Sequence, residues 1–366
     1  MKKFLTITID VEPDCSSDWT YSSPLTFTGV EKGIKDILHP LFIKYDLVPT
    51  YLLNNVVIEN EASVAVLREL EGAYELGTHL HPEFIAPEKS FDNYAGKKAR
   101  ANCCDYPNDI EEGKLNAITD LFESKFGYKP IVFRAGRFAA GVNTIRVLKK
   151  LGYKVDTSVT PHIKWDDHTR KNICDFKNAP EQPYFMTDFS MIEKSKLSEG
   201  ILQIPVSIAL QKIPYWKEWL FSLGGLRRKP YYFKRTWLRP SFFGDKELQK
   251  LVKQYQFTYQ GEEIIVYNMM FHNIEVMPGI NPYAPTQKDC DQILAAMESF
   301  FAFCKEEGIR GISTEELYDR YYAKPSKAAK PSLVSRLSSL SFLPYLLGSE
   351  EVEAAVALFS ELPLAV

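Results

Sequence analysis

Apolar and polar positions along this chain repeat with two periods, which alternate from one end to the other. Near the N-terminus, Leu5, Ile7, Ile9 and Val11 fall on one face of an extended segment, and Thr6, Thr8, Asp10 and Glu12 on the other. This predicts a strand over Leu5–Asp10. A helical period follows over Val30–Tyr45, interrupted or ended near Pro40. Further strands are expected over Val48–Leu53, Tyr74–His81, Ile131–Arg134, Tyr153–Asp156, Ile201–Val206 and Ile264–Phe271. Between them, helices are expected over Ser63–Glu71, Asp109–Phe126 (closed by Gly127 and Pro130) and Asn143–Leu151 (closed by Gly152). The clearest helical pattern is Thr286–Cys304, where Ile293, Leu294, Met297, Phe300, Phe301 and Cys304 recur at helical spacing. Thr286 and Asp289 stand as a capping box there, and Gly308 ends the helix.

Strands alternating with helices imply parallel strands covered by helices, hence an α/β fold. Asp10, His79, Arg134, Asp156 and His272 all fall at the C-terminal ends of expected strands. A barrel or a doubly wound sheet gathers its chemistry at that end, and small polar residues facing inward from the first strand favour the barrel. Residues 158–200, with Pro161, Pro180 and Pro183, read as irregular, and inserted loops are expected over about 158–260. After the barrel at 1–323, residues 324–366 read as a linker and C-terminal tail. That tail carries one short amphipathic stretch, which leaves two readings open: a frayed end, or a helix that binds a partner or a membrane surface.

Composition narrows the class. The 366 residues are 45% apolar and 25% charged, as in a globular enzyme, and the net charge of −3 gives no electrostatic footprint for nucleic acid. No apolar run reaches the ~18 residues of a membrane span. Met1-Lys2-Lys3 is followed at once by the first strand rather than by the apolar core of a signal peptide, so a cytoplasmic protein is expected. Six cysteines without a regular framework suit a reducing compartment, and the adjacent Cys103 and Cys104 read as free thiols. Aromatic residues make up 13%, a level that suits either sugar binding or simply a large core.

Two of only six histidines, His79 and His81, lie one residue apart in Thr78-His-Leu-His-Pro82. In an extended segment both imidazoles point to one side and can reach one ion. Asp10 and Glu12 have the same spacing. Two histidines and a carboxylate form an open catalytic metal set. A free Asp beside such a set can act as base, a separate His as acid, and an Arg can hold the Asp ionised.

The segments Ile9-Asp-Val-Glu12, Glu75-Leu-Gly-Thr-His-Leu-His-Pro82, Phe133-Arg-Ala-Gly-Arg137 and Met270-Phe-His-Asn273 occur in the order seen in NodB-like polysaccharide deacetylases, carbohydrate esterase family 4. The chain resembles that family over about residues 3–322, and more narrowly a WalW-like branch. The resemblance also takes in Val155-Asp-Thr-Ser-Val-Thr-Pro161, Asp175-Phe-Lys-Asn-Ala-Pro180, Ile204-Pro205 and Trp237-Leu-Arg-Pro240. It implies a distorted (β/α)7-type barrel, a divalent metal (usually zinc) and removal of acetyl groups from N-acetylated sugars.

Carried over, Asp10 is the base, Arg134 orients it, His272 is the catalytic acid, and His79 and His81 are metal ligands. Two features depart from the family. Val11 stands where a second Asp is usual, so Glu12 takes the ligand role with Asp14 as the spare candidate. The second His is two residues after the first rather than four. Asp156 is expected to steer His272 through a hydrogen bond.

Other motifs stay open. Arg137 could bind an anionic substrate group or form a structural ion pair. His162 and His168, beside Trp165-Asp-Asp167, border the cleft or lie in a solvated loop. Trp237-Leu-Arg239-Pro240 follows a basic stretch (Arg227, Arg228, Lys229, Lys234, Arg235), which is a solvated face or a site for an anionic or lipid-linked substrate. The expected partner is a saccharide, with a lipid or nucleotide carrier left open. The competing functions are a C–N hydrolase acting on a non-sugar amide and a non-catalytic glycan-binding barrel.

Overall fold

The alternating N-terminal run becomes a buried strand of a curled sheet, paired on both sides. The computed structural model describes residues 1–90, 101–165, 173–197, 199–210 and 235–322. His168, the basic positions 227–234 and the expected tail over 324–366 lie outside the described residues. The strands are β1 (Lys2–Val11), β2 (Pro49–Asn54), β3 (Glu75–Leu80), β4 (Val132–Ala135), β5 (Val155–Asp156), β6 (Tyr184–Thr187), β7 (Ser190–Lys194), β8 (Leu202–Gln203), β9 (Ile208–Leu210), β10 (Arg235–Trp237), β11 (Ile264–His272) and β12 (Arg310–Gly311). The sheet runs β11-β1-β2-β3-β4-β5-β8-β6-β7, with β12 also pairing β1. Pairing is parallel from β11 through β1, β2, β3, β4 and β5 to β8, which makes a distorted (β/α)7-type barrel.

The barrel closes without a ladder. Pro205 has no N–H to donate, and β8 ends at Gln203, three residues into the expected strand Ile201–Val206. The seam to β11 is spanned instead by single groups. The Gln182 amide donates to Val266 O (3.1 Å) and accepts from Val266 N (2.8 Å), while Ser207 N donates to Asn268 O (3.1 Å). Inside the barrel a polar web lies above an apolar layer that includes Phe4, Val132 and Val266. Thr8 Oγ1 donates to Asn268 Oδ1 (2.9 Å), and Asn268 Nδ2 donates to Thr157 Oγ1 (2.9 Å). The apolar face of β1 (Leu5, Ile7, Ile9, Val11) packs outward with Val30, Ile34, Leu38 and Phe42 of the covering helix, all buried.

That helix resolves the Pro40 question. It runs from Gly29 to Lys44, with wide π-type turns over Gly29–Leu38 that tighten into an α-helix at His39–Lys44. The His39 N–H reaches back to Ile34 O, so the ladder shifts just before Pro40, whose missing N–H then falls in a first turn where none is needed.

The capping box forms as expected. Thr286 N donates to Asp289 Oδ2 (3.0 Å) and Asp289 N to Thr286 Oγ1 (3.3 Å), at the start of the helix Gln287–Glu306.

The region read as irregular is only partly so, because the antiparallel hairpin β6–β7 lies within it. Pro180 and Pro183 both precede that hairpin instead of excluding strand. Helices beyond those expected include Asn55–Glu59, Asp245–Thr258 and Thr314–Tyr322.

Candidate active site

Strand register assembles the site. The β1/β11 ladder sets Asp10 opposite His272, and the β3/β4 ladder sets His79 opposite Arg134. All four side chains project at the C-terminal end of the barrel. Past the end of that ladder, Asn273 clamps the chain: Glu12 N donates to Asn273 Oδ1 (2.9 Å) and Asn273 Nδ2 donates to Glu12 O (3.2 Å).

Glu12, His79 and His81 converge on one point. Glu12 Oε1 lies 3.0 Å from His79 Nε2 and 2.9 Å from His81 Nε2, and the two nitrogens are 3.1 Å apart. All three residues are buried, and they are the one such His/Cys/Asp/Glu cluster among the described residues. His79 Nδ1 sits 3.1 Å from Arg134 O. A carbonyl only accepts, so Nδ1 donates to it, and Nε2 is the nitrogen that faces Glu12 and His81.

The His81 ring is held close by Gly136, where a Cβ would meet the ring at 2.7 Å. Behind it, Glu83 Oε1 lies 3.5 Å from Nδ1 and accepts an ion pair from Arg137 Nη2 at 2.8 Å. Arg137 therefore serves a structural ion pair, one of the two readings open from the sequence. Burial disfavours charge on His81, but Glu12 outweighs it and pushes the imidazole up to about 9. Burial also opposes ionisation of Glu12. His81, His272 and the hydrogen bonds from both nearby histidines nonetheless hold its carboxyl well below the usual range.

These donors fit a divalent cation. Two imidazole nitrogens and a carboxylate face one another at about ligand-to-ligand spacing, and the second oxygen of Glu12 is buried without a hydrogen-bond partner. Asp14, the spare ligand candidate, is otherwise engaged. Its two oxygens accept from Thr28 N and Gly29 N, each at 2.8 Å, and so hold the first turn of the covering helix.

Asp10 lies beside the triad. Its Oδ2 is 3.8 Å from His79 Nε2 and 3.9 Å from His272 Nε2, and its Oδ1 accepts from Arg134 Nη1 at 2.7 Å. Arg134 has no exposed surface, and its other N–H groups go to Thr8 Oγ1 (2.6 Å), Thr157 O (2.9 Å) and Thr157 Oγ1 (3.0 Å). Burial works against ionised Asp10, but the Arg134 cation and then His79 and His272 hold it below the ordinary carboxylate value.

The structure corrects the role expected of Asp156. It does not reach His272: its oxygens accept from Ser158 Oγ (2.7 Å) and Ser158 N (3.0 Å). The partner of His272 is Glu275, whose Oε1 lies 2.7 Å from Nδ1. Arg239 pairs with the same oxygen, and its Nη2 is 3.0 Å from His272 Nδ1. The guanidinium carbon lies 4.2 Å from the centroid of the Phe242 ring and 4.6 Å from that of Tyr283, and those two rings meet edge to face. Glu275 wins because it sits three residues on, in the short turn Asn273–Val276, and so lies beside the ring it serves.

The i, i+3 spacing of His272 and Glu275 was the signal for this contact. The Glu83 support of His81 is likewise a near-sequence carboxylate. His162 takes no part in the cluster and pairs with Glu181 in the covering region, where Arg235 Nε also donates to His162 O (2.8 Å).

Burial pushes the Asp156 carboxyl up to about 6, against hydrogen bonds from Ser158 that favour its charge. The folded state therefore binds this proton more tightly than the unfolded chain. The resulting stabilisation is present in acid and is lost as pH rises from about 4 to about 6. The shift corresponds to about 3 kcal/mol. Urea titrations of wild type and Asp156→Asn across that range should show the wild type losing stability relative to the variant as pH rises. Parallel curves would remove the assignment.

No protein-family model matches the sequence, and no curated protein is similar to it in sequence. Solved structures do align. A Mycobacterium smegmatis protein described as a polysaccharide deacetylase aligns at 13% identity with TM-score 0.49, covering 88% of this chain and 92% of its own. One from Pseudomonas aeruginosa PAO1, also described as a polysaccharide deacetylase, aligns at 12% identity with TM-score 0.47, covering 88% and 90%. The structural relatives include polysaccharide deacetylases. They also include a Puue allantoinase, at 13% identity and TM-score 0.46, covering 88% and 90%. Likeness at this level assigns no activity, and the chemistry rests on the side chains described above.

Proposed function

We propose that this protein is a metal-dependent N-deacetylase that hydrolyses the acetamide of an N-acetylated sugar in a glycan or glycan precursor. The carrying observation is the buried triangle of Glu12, His79 and His81 with Asp10 and His272 facing it, each 3.9 Å or less from a member of the triangle. When bound there, a divalent ion such as zinc supplies Lewis acidity, polarising an amide carbonyl and acidifying water.

The chain's own groups divide the remaining work. Asp10, kept ionised and aimed by Arg134, accepts the proton of the attacking water. His272 presents Nε2 to the same space, with Nδ1 held by Glu275, and delivers a proton to the departing amine nitrogen. Burial of every one of these groups excludes bulk water and strengthens their electrostatic action. The sugar half of the reading is supported by the motif resemblance in its family order.

No helix among the described residues is long and apolar enough to cross a membrane. All six cysteines are free thiols, which supports a cytoplasmic setting and an assembly intermediate as substrate. A lipid or nucleotide carrier is an extension of the same proposal.

Metal content tests the reading directly. Purified wild type should carry one divalent ion per chain and release acetate from N-acetylglucosamine oligomers. His79→Ala and His81→Ala should lose both while remaining folded by circular dichroism. A folded wild-type protein that takes up no zinc when supplied with it would sink the proposal.

A further inference from the structure

Beyond the catalytic groups, two internally hydrogen-bonded loops each present an aromatic ring to His272. The first loop follows β1. Cys15 and Tyr21 pair across it, Ser16 N donates to Thr20 O (2.9 Å), Trp19 N donates to Ser16 O (3.0 Å), and Thr20 N donates to Asp18 Oδ1 (3.1 Å). This network holds Trp19 at φ 65°, the left-handed region a bulky residue rarely adopts. Such strain persists only where the surroundings enforce it, and it concentrates at functional sites.

The second loop follows β11. Asn281 staples it by donating to Ile274 O (2.8 Å) and Met277 O (2.7 Å) and accepting from Tyr283 N (2.8 Å) and Ala284 N (2.7 Å). The loops are joined to each other by Cys15 N donating to Ile280 O (3.1 Å).

The rings meet at the proposed acid. Trp19 stands edge-on to His272, with centroids 5.5 Å apart, and edge-on to Tyr283 at 5.7 Å. Tyr283 lies nearly parallel to the His272 ring (17°, 6.4 Å). Both aromatic side chains are half-buried, so each keeps an open surface. His272 Nε2 is in turn 3.9 Å from Glu12 Oε1.

We propose that Trp19 and Tyr283 form a pyranose-stacking wall. A sugar ring would rest its C–H face on these rings while its acetamido group enters the Glu12–His79–His81 triangle. A ring presents partial negative charge on its face, which suits the weakly positive C–H groups of a pyranose. A small non-sugar amide needs no such wall. This inference rests on the deacetylase reading and adds to it the two residues that select a sugar.

Binding of N-acetylglucosamine tetramer, followed by calorimetry on the full chain loaded with zinc, tests the wall apart from the chemistry, and acetate release is measured alongside. Trp19→Gly removes the ring at a backbone position glycine tolerates, and Trp19→Phe keeps an aromatic face. Loss of the ring should weaken the dissociation constant about tenfold, and Phe should recover most of that loss. KM should rise by more than kcat falls.

Tetramer binding that requires Trp19, in a protein that releases no acetate, supports the wall and sinks the deacetylase. Acetate release with a dissociation constant and KM indifferent to Trp19→Gly overturns the wall and leaves the deacetylase standing. A zinc-loaded wild type that binds no tetramer overturns the wall. Tyr283→Leu provides a second, independent variant should the glycine variant fail to fold, and tetramer affinity unchanged in it overturns the wall equally.

Discussion

Asp10→Asn should abolish acetate release, lowering kcat by about 10²–10⁴-fold while metal content stays at the wild-type level. The amide cannot accept a proton from water, but it keeps an oxygen for Arg134 Nη1, which lies 2.7 Å from Asp10 Oδ1 in the wild type. The proposed metal donors are Glu12, His79 and His81, and Asp10 Oδ2 is 3.8 Å from the nearer imidazole nitrogen. The variant thus separates base from ligand. Acetate release and metal analysis on the same preparation make the test. A variant retaining more than a tenth of wild-type kcat would show that Asp10 is not the base, and one without metal would show that it is a ligand.

Arg134→Met should cost about 3–5 kcal/mol of stability, because it leaves the Asp10 carboxylate buried without its cation. The loss is wider than one ion pair, since the guanidinium also ties β1 to the segment after β5 through Thr8 and Thr157. The methionine fills much of the volume, so the cost is electrostatic and hydrogen-bonding rather than a cavity.

The pH dependence has a definite sign. In the wild type the folded pKa of Asp10 lies below its unfolded value, so the stabilisation is present above about pH 4 and is lost as pH falls through the folded value. The gap between wild type and variant in urea denaturation should therefore narrow in acid. Without Arg134, burial dominates and the Asp10 pKa rises, so the acid limb of the pH–rate profile should move to higher pH. A variant with wild-type stability and an unmoved acid limb would show that the pair neither holds the barrel nor tunes the base.

Much of this barrel is legible in one dimension because its forces are local or periodic. The alternation in Leu5–Val11 reports a strand with a polar interior and an apolar helix-facing side, and both sides are as the period requires. Thr286 and Asp289 announce a helix start, since both partners of that cap lie within four residues. Proline is less legible: the interruption expected near Pro40 is a change of helix type, and the prolines of the region read as irregular do not exclude strand. Pro40 is absorbed by a shift to wide turns before it, and Pro180 and Pro183 only precede a hairpin. In both places tertiary packing outweighs local propensity.

What the sequence by itself determined is the set of strand-end groups and their spacing. His79 and His81 are one residue apart, so the extended backbone must turn both to one side whatever the fold. Tertiary structure decided who faces whom. Glu12 meets His79 across 67 positions, Asp10 meets Arg134 across 124, and Arg239 meets Glu275 across 36. Sheet register brings the first two pairs together, and the covering region brings the third. Asp156 shows the limit most clearly. Its place at the end of β5 suited it to His272, but the hydroxyl and N–H of Ser158, two residues away, satisfy the carboxylate first, and Glu275 is already at the imidazole. Competition among neighbours for one hydrogen bond is settled by distance in space, which residue order does not record.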